Sequence, residues 1–280
     1  MDYRIIADTS CDISEELEKK LRVLLVSFKI DIEDVEYVDD ENLNLNEFKE
    51  AMKQTKKPIR TSCPSPYDYL EKLNQCEEDK ILIVTISEIL SGSNNAAVIA
   101  REEFLKEHPE KQVYIINSKS ASAGQLSLLL KIDKIMKENL RFDEQIEKIE
   151  KAVEDNHTFF ILENLDNLIK NGRIKKTTGL IATALNIRPI MKATREGEIT
   201  IHEINRGFKK SLLKLAKEIG NIAENLEERI LVISHVDGLE KAQLLAEKAK
   251  ELYKFKDILI VHTKGLATGY ADIGGIVVGF

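Results

Sequence analysis

Two hydroxyl side chains stand just ahead of a helical pattern in the stretch TSCPSP, residues 61–66. The prolines of this stretch fix their own φ angles and keep the residues before them extended, so a helix can begin after Ser65. Thr61 and Ser62 are then expected in a stiff loop, with free hydroxyls that can face a cavity and donate hydrogen bonds. A serine before a proline is also an ordinary helix entrance, so this stretch alone does not separate a binding site from a structural turn.

A second hydroxyl-rich helix start follows in ISEILSGSNNAA, residues 86–97. Ser91 or Ser93 is expected to cap the helix, and Gly92 allows the backbone to come close to a bound group. The free N–H groups at a helix start and the positive end of its dipole attract an anion. Because the stretch has a single glycine and the chain lacks GxxxxGK[ST], we expect a small anion such as a carboxylate rather than a nucleotide phosphate.

Three further side chains are candidates for chemistry. Arg173 lies beside a glycine between two helical segments, where it can hold an anion with two donors or form an ordinary surface ion pair. His235 and His262 each end a predicted strand, and we expect His235 to be a neutral, packed side chain. No histidine belongs to HExxH or stands at zinc spacing from a cysteine, and GxSxG is absent, so the sequence indicates neither a metal ligand set nor a hydrolase nucleophile.

Short apolar runs alternate with segments of helical period, which is typical of βαβ units and parallel sheets. Six runs are predicted to be strands, at residues 3–7, 81–86, 113–117, 157–162, 230–234 and 258–263. Near residue 155 the order changes, and RPIMKATREGEITIHEI (188–204) predicts a hairpin around Glu196 and Gly197. We therefore predict an α/β fold of two domains. The first, residues 1–155, is a mostly parallel α/β/α sandwich, and the second, residues 156–280, is a mixed α/β domain.

Composition narrows the class of protein. The formal net charge of −7 disfavours nucleic acid as a partner, since proteins that bind the phosphate backbone of nucleic acids normally carry a basic surplus or a basic stripe. Three cysteines, an odd number without CxxC spacing, indicate a reducing compartment. The start of the chain lacks the apolar run of a signal peptide and no segment approaches membrane-spanning length, so we expect a cytoplasmic location without an integral membrane segment.

Several stretches taken in chain order resemble the DegV family over nearly the whole chain. They are DTSCD (8–12), TSCPSP (61–66), ILSGSNNAA (89–97), NSKSASAGQ (117–125) and NGRIKKTTGLIATALNIRPIM (171–191). The resemblance implies a two-domain α/β protein that binds a long-chain fatty acid between its domains, without a cofactor and without catalysis of its own. It also implies that the protein presents the carboxylate to a fatty acid kinase for phosphorylation. Carried over by motif, the contacts of the carboxylate fall on Thr61, Ser62, Ser91, Gly92, Ser93, Arg173 and, near the C-terminus, His262.

The tail and the head group of such a ligand contribute different amounts of binding free energy. A dozen buried methylenes offer about 10 kcal/mol gross, at about 0.8 kcal/mol each. Each charge-assisted hydrogen bond adds about 1.5 to 3 kcal/mol. The tail is therefore expected to dominate affinity and the head to set orientation. Sequence does not separate tunnel walls from ordinary core at Leu126, Leu180, Ile181 and Leu185.

Two other functions remain open at this point. The strand-end histidines allow an enzyme that acts on a small polar substrate through His262 or His235. A regulatory or scaffold protein is the other alternative, and a filled apolar interior without a tunnel would favour it.

Overall fold

The computed structural model describes residues 2–175 and 186–280. The strands in these residues are β1 (Tyr3–Asp8), β2 (Val23–Val26), β3 (Lys29–Ile32), β4 (Val35–Val38), β5 (Arg60–Ser62), β6 (Lys80–Thr85), β7 (Gln112–Asn117), β8 (Thr158–Ile161), β9 (Ile190–Ala193), β10 (Ile199–Glu203), β11 (Ile230–His235), β12 (Asp257–His262) and β13 (Ile276–Gly279). The α-helices are α1 (Glu15–Leu21), α2 (Leu45–Gln54), α3 (Pro66–Asn74), α4 (Ser93–Glu107), α5 (Ala123–Met136), α6 (Phe142–Glu154), α7 (Asp166–Lys170), α8 (Phe208–Ile222), α9 (Leu239–Leu252) and α10 (Gly265–Ala271).

A four-stranded parallel sheet has the order β2-β1-β6-β7. Its central strands β1 and β6 are almost entirely buried, as apolar runs without alternation predict for a sheet covered on both faces. The runs predicted at 3–7, 81–86 and 113–117 are the strands β1, β6 and β7. The sequence analysis missed β2, a run of four residues that directly follows α1.

A six-stranded mixed sheet has the order β10-β9-β8-β13-β11-β12. The β11–β12 pair is parallel and the other neighbours are antiparallel. The predicted hairpin is confirmed by the pairing of β9 with β10, and the runs at 157–162, 230–234 and 258–263 form β8, β11 and β12. The last strand, β13, was missed because IVVG is too short to show a period, yet it lies at the centre of the sheet.

A small antiparallel sheet of order β4-β3-β5 corrects the prediction for Thr61 and Ser62. These residues lie in strand β5, where Thr61 pairs with Ile30 and Ser62 with Lys29, rather than in a loop. The helix that follows begins at Pro66 with Ser65 as its cap, as the two prolines predicted. The strand was missed because its partner is distant in sequence and supplies the hydrogen bonds that hold it extended.

Helix α5 connects the two larger sheets. Eleven of its fourteen residues are buried, among them Leu126 in the largest apolar core. At Gly124 an added Cβ would lie 1.9 Å from Thr158 Oγ1, so only a glycine lets α5 approach β8 this closely. All strands of the four-stranded sheet precede residue 118 and all strands of the six-stranded sheet follow residue 157, while α5 packs against strands of both. The domain boundary near residue 155 stays a prediction.

No helix in residues 2–175 and 186–280 is both long and apolar enough to cross a membrane. Three of the residues that sequence left open between tunnel and core, Leu180, Ile181 and Leu185, lie outside the described residues.

Candidate functional site

A cavity of about 380 Å³ opens beyond the carboxyl ends of the parallel strands, and we call it the central cavity. Ser10 follows β1, Ile86 follows β6, and residues 119–122 follow β7, and all of these line it. Strands of the six-stranded sheet and helix α10 form the opposite wall. Ligands of parallel α/β sheets bind at this edge, and the architecture therefore assembles a site from segments that are far apart in sequence.

Most of the surface inside the central cavity is apolar. The aliphatic and aromatic side chains of its described lining include Phe28, Leu90, Phe160, Leu162, Leu168, Ile199, Leu266 and Val277. Several of these side chains are buried in the protein core as well, so the cavity is continuous with the packing between the two larger sheets. Such walls suit an apolar chain. Water inside the cavity makes no hydrogen bonds to apolar side chains, so an alkyl chain can replace it without breaking any.

Three hydroxyl side chains line the end of the central cavity formed by β5 and the start of α4, and those of Ser10, Ser120, Ser122 and Thr158 line other parts of it. Thr61, Ser62 and Ser91 line this end, together with Gly92. Thr61 Oγ1 lies 2.8 Å from the hydroxyl of Tyr270, which also lines the cavity. Ser62 and Gly92 are exposed to solvent, so this end is a mouth that opens to the surface.

The start of α4 separates the roles of its two serines. The N-cap is Gly92, so neither serine caps the helix as predicted. Ser91 Oγ accepts a hydrogen bond from the backbone N–H of Ser93 at 3.3 Å, which leaves the hydroxyl hydrogen free to donate into the cavity. Ser93 does not line the described cavity. Its side chain is fully buried and donates to Asp8 Oδ2 at 2.7 Å. Of the two predicted serines, only Ser91 faces the cavity.

Asp8 explains why Ser93 points inward. This carboxylate lies in the core at the end of β1, where burial disfavours its charged form and raises its pKa. Hydrogen bonds from its neighbours stabilise the charge and lower the pKa again. Ser93, Ser10 and the backbone N–H of Ile86 all donate to it. The hydroxyl of Tyr69 lies 2.7 Å from Ser93 Oγ, so a chain of hydroxyls leads from α3 through α4 to the end of β1.

His262 is also absent from the lining of the central cavity, contrary to the expectation. It ends β12, the edge strand of the six-stranded sheet, so its exposed side chain lies away from the strands that form the cavity wall. Its ring packs edge-on against His235 with 4.3 Å between centroids. His235 is buried, accepts the N–H of Gly238 on Nδ1, and has its pKa lowered by burial and by His262, as expected for a neutral packed histidine.

Arg173 does line the central cavity. It follows α7, where its backbone N–H donates to the carbonyl of Leu168 at 2.8 Å and its guanidinium donates to the carbonyl of Asn171. The side chain is half-buried. It is therefore a cation of the cavity wall with donors left over for an anion.

Six polar residues of the described lining are missing from the predicted site, namely Ser10, Lys119, Ser120, Ser122, Thr158 and Tyr270. Lys119, Ser120 and Ser122 belong to the turn after β7, and the rule that ligands bind beyond strand ends would have found them. Lys119 and Ser122 have positive φ values of 51° and 55°, an unusual conformation for residues with side chains. No sequence pattern predicted that Tyr270 lines the cavity, because the position of its hydroxyl depends on how helix α10 packs against the rest of the protein.

Two buried carboxylates hold helix α10 against the cavity. Asp39 accepts the N–H groups of Gly265 at 2.7 Å and Leu266 at 2.9 Å. Asp12 accepts the N–H of Lys264 at 2.7 Å and the hydroxyl of Ser122. Burial raises the pKa of Asp12 to about 7. Both acids come from the N-terminal part of the chain and hold a helix near its C-terminus. Neither of them belongs to the described lining of the cavity.

The hairpin between β9 and β10 closes another side of the central cavity. Gly197 at its tip has a φ of +91° and receives a 2.9 Å hydrogen bond on its carbonyl from Ser87 Oγ. An added Cβ would lie 2.3 Å from the same Oγ. This turn therefore needs glycine both for its backbone conformation and for the close contact between the two halves of the chain.

No three His, Cys, Asp or Glu side chains come together as a metal site within the described parts of the chain. The arrangement is thus an apolar cavity with hydroxyl donors and two cations, Lys119 and Arg173, in its described lining. It is suited to an amphiphile that carries a single anionic group.

Comparison with known proteins gives consistent matches over the full length. A family model described as an uncharacterised protein of the DegV family matches residues 2–279. A DegV domain-containing protein of Streptococcus pneumoniae is 33% identical over 283 residues, which cover 100% of this chain and 99% of the relative.

Two solved structures are similar in fold and sequence. A DegV family protein of Ruminococcus gnavus, refined with vaccenic acid, has a TM-score of 0.94 and 38% identity, and the match covers 100% of both chains. The fatty acid kinase (Fak) B3 protein of Streptococcus pneumoniae, loaded with linoleic acid, has a TM-score of 0.91 and 31% identity over 100% of this chain and 99% of the other.

Proposed function

Because this chain belongs to the DegV family, we propose that it binds a long-chain fatty acid in the central cavity and presents the carboxylate to a fatty acid kinase. The observation that carries this proposal is a cavity of about 380 Å³ with apolar walls and a hydroxyl-lined mouth. Its volume lies within the range of about 300–1,000 Å³ in which proteins hold small ligands. The fatty acids in the similar structures from Ruminococcus gnavus and Streptococcus pneumoniae support the same ligand class.

The alkyl tail supplies most of the affinity in this proposal. Walls such as Phe160, Leu266 and Val277 replace water around the chain, and each buried methylene contributes about 0.8 kcal/mol gross. A chain of more than a dozen carbons therefore outweighs the entropy lost on binding. Medium-length acids bind more weakly, by several-fold for each methylene removed.

The carboxylate is proposed to lie at the mouth, among the hydroxyls of Thr61, Ser62 and Ser91 and the backbone at Gly92. Neutral hydroxyl donors hold a carboxylate without the loss of hydration that a buried ammonium would suffer. Arg173 lies on the same cavity and supplies the positive charge. Since Ser62 and Gly92 are exposed, the carboxylate is reachable by a partner protein.

Ser93 and His262 have different places in this proposal from the ones that the sequence predicted. Ser93 acts through Asp8 and Tyr69, which hold the start of α4 and thereby position Ser91. His262 does not touch the ligand, because the edge strand that carries it lies outside the cavity. An enzyme mechanism based on the two strand-end histidines has no support, since neither of them lines the cavity.

The protein in this proposal is a carrier, and the kinase performs the chemistry. The kinase transfers a phosphoryl group from its nucleotide to the bound carboxylate, while this chain shields the tail from water. The carrier needs no cofactor of its own. A cytoplasmic location fits this role and fits the free thiols of Cys11, Cys63 and Cys76.

The direct test is mass spectrometry of lipid released from the denatured, purified protein. We expect a fatty acid at close to one equivalent, and the delipidated protein should take up added acid at the same ratio. Preparations that hold no lipid and take up none would contradict the proposal. Uptake of medium- and long-chain acids by one preparation then gives the preferred length.

The second test addresses the mouth. Replacing Thr61 by Val and Ser91 by Ala removes two hydroxyls with little change in volume, and we expect about a tenfold loss of affinity for each lost hydrogen bond. Formation of acyl phosphate by an added fatty acid kinase should fall further, because the carboxylate loses its orientation. Lys106→Met, on the exposed face of α4, is the matched control. Wild-type binding and transfer in the double variant would show that the head group lies elsewhere.

A further inference from the structure

A second recess lies on a different part of the molecule and shares no described lining residue with the central cavity. Its volume is about 410 Å³, and it is bounded by α1, α5, the end of α6 and the segment that leads into β11. Four lysines line it, namely Lys20, Lys131, Lys134 and Lys256. We call this recess the lysine cleft.

Lys131 is the least exposed of these lysines. It projects from the buried helix α5, and its ammonium donates to Asn156 Oδ1 at 3.1 Å. Among residues 2–175 and 186–280, no carboxylate oxygen lies within the 4.0 Å of an ion pair with Lys131 Nζ. Two N–H donors of a mostly buried charge are therefore left for another acceptor, and an uncompensated buried charge is unfavourable.

The carboxylates of the lysine cleft do not compensate for its lysines. Three of its four acids are engaged by other cations, in the pairs Asp133 with Lys137, Asp155 with Arg229, and Glu138 with Lys148. Only Glu228 remains against the four lysines. The cleft is a local positive region on a chain whose formal net charge is −7, so its field attracts small anions from solution.

We propose that the lysine cleft binds a small dianion of the phosphate type, with Lys131 as its buried donor. A phosphoryl group offers three acceptor oxygens to the free N–H groups of Lys131 and to the flexible lysines at the rim. Burial, and to a smaller extent the neighbouring Arg229, lowers the pKa of Lys131 to about 8, although Asp155 acts in the opposite direction. A bound dianion reverses this effect by favouring the charged ammonium.

The experiment compares thermal unfolding of the full chain at pH 7.0 in sodium phosphate and in sodium chloride at equal ionic strength. At about ten times its dissociation constant, phosphate should raise the midpoint by about 2–4 °C. Lys131→Met should remove this difference, because it removes the proposed buried donor. Each variant is compared only with itself in the two salts, so a change in its overall stability does not affect the result. Lys106→Met, on α4 and outside the cleft, should keep all of it.

A second measurement keeps the test independent of changes in stability. Carbon-13 NMR of the lysine ε-methylenes should show that phosphate moves the pKa of Lys131 upward toward the ordinary lysine value and leaves that of Lys106 unchanged. Glycerol 3-phosphate as a second probe separates the sources. An equal shift assigns the site to phosphoryl groups in general, and a shift with inorganic phosphate alone assigns it to the free ion.

An equal midpoint difference in wild type and in Lys131→Met, or a Lys131 signal that does not respond to phosphate, would overturn the proposal. Fatty acid content distinguishes failure of this proposal from failure of the proposed function. We expect Lys131→Met to carry as much lipid as wild type, so failure at the lysine cleft leaves the central cavity untouched, and the converse holds as well.

Discussion

The central cavity and the lysine cleft are recesses of nearly equal size, about 380 Å³ and 410 Å³, that differ in how their walls carry charge. Around the central cavity the acids Asp8, Asp12 and Asp39 are buried behind the wall and are satisfied by hydroxyl and N–H donors. In the lysine cleft the charges themselves form the wall, and four lysines lack a carboxylate partner among the described residues.

The two recesses are suited to the two kinds of anion that we propose for them. A monovalent carboxylate on an apolar tail needs few donors, and a mostly apolar wall, whose cations in the described lining are Lys119 and Arg173, keeps the tail's contribution intact. A phosphate-type dianion has no tail, so its binding depends on charge alone. The central cavity should therefore respond to changes in volume and the lysine cleft to changes in charge.

The largest expected effect comes from filling the central cavity. Ala267→Phe adds a ring to helix α10 inside the space for the alkyl chain, and we expect fatty acid affinity to fall more than 100-fold, because several methylenes lose their place. Isothermal titration with the delipidated protein measures it. Ala152→Phe, which lies in the lysine cleft, is the matched control and should leave lipid binding intact. Equal losses of fatty acid affinity in both variants would contradict the proposal that the alkyl chain lies in the central cavity alone.

Next in size is the loss of an acid behind the wall. Asp39→Asn weakens two charge-assisted hydrogen bonds to the start of α10, and we expect the free energy of unfolding to drop by about 2 kcal/mol, or about 30-fold in the equilibrium. Urea unfolding measures this change. Asp34→Asn, at an exposed position, should be neutral. An unaffected Asp39→Asn protein would show that α10 is held by packing alone.

Asp12 makes the same wall sensitive to pH. Burial raises its pKa to about 7, above the ordinary aspartate value of 3.8, so the folded state binds the proton more tightly. The stability that this proton provides is complete below pH 4 and is lost as the pH rises through 7. Between pH 5.5 and 8 we expect wild type to lose about 1–2 kcal/mol relative to Asp12→Asn, measured by urea unfolding at both values. A constant difference between the two proteins would contradict this.

The smallest expected effect uses Cys63 as a reporter of the mouth. Its thiol is exposed and lines the central cavity, whereas Cys11 and Cys76 are buried. Bound fatty acid should slow alkylation of Cys63 about fivefold, because its carboxylate end lies beside the thiol. Mass spectrometry of the labelled peptide follows the rate, and Cys63→Ser is the blank. Phosphate should have no effect, and protection by phosphate in place of fatty acid would place the anion in the wrong recess.

Sequence patterns were sufficient for elements that bury their own apolar surface. The runs that became β1, β6, β7, β8, β11 and β12 are long enough to show strand character, and the cap at Ser65 follows from local turn chemistry. The short strands β2, β3, β4, β5 and β13 were missed, since runs of three or four residues are too short to show a period. The hydrogen bonds that define β2, β5 and β13 also come from partners distant in sequence.

Site residues divide in the same way. Local sequence indicates that hydroxyl groups gather at two helix starts, because helix starts depend on neighbouring residues. Which of these hydroxyls face the cavity depends on the tertiary fold. The buried charge of Asp8 draws Ser93 into the core, and the order of strands in the six-stranded sheet sends His262 to an edge. A side chain's direction depends on the polar groups that burial leaves unsatisfied, and these come from distant parts of the chain.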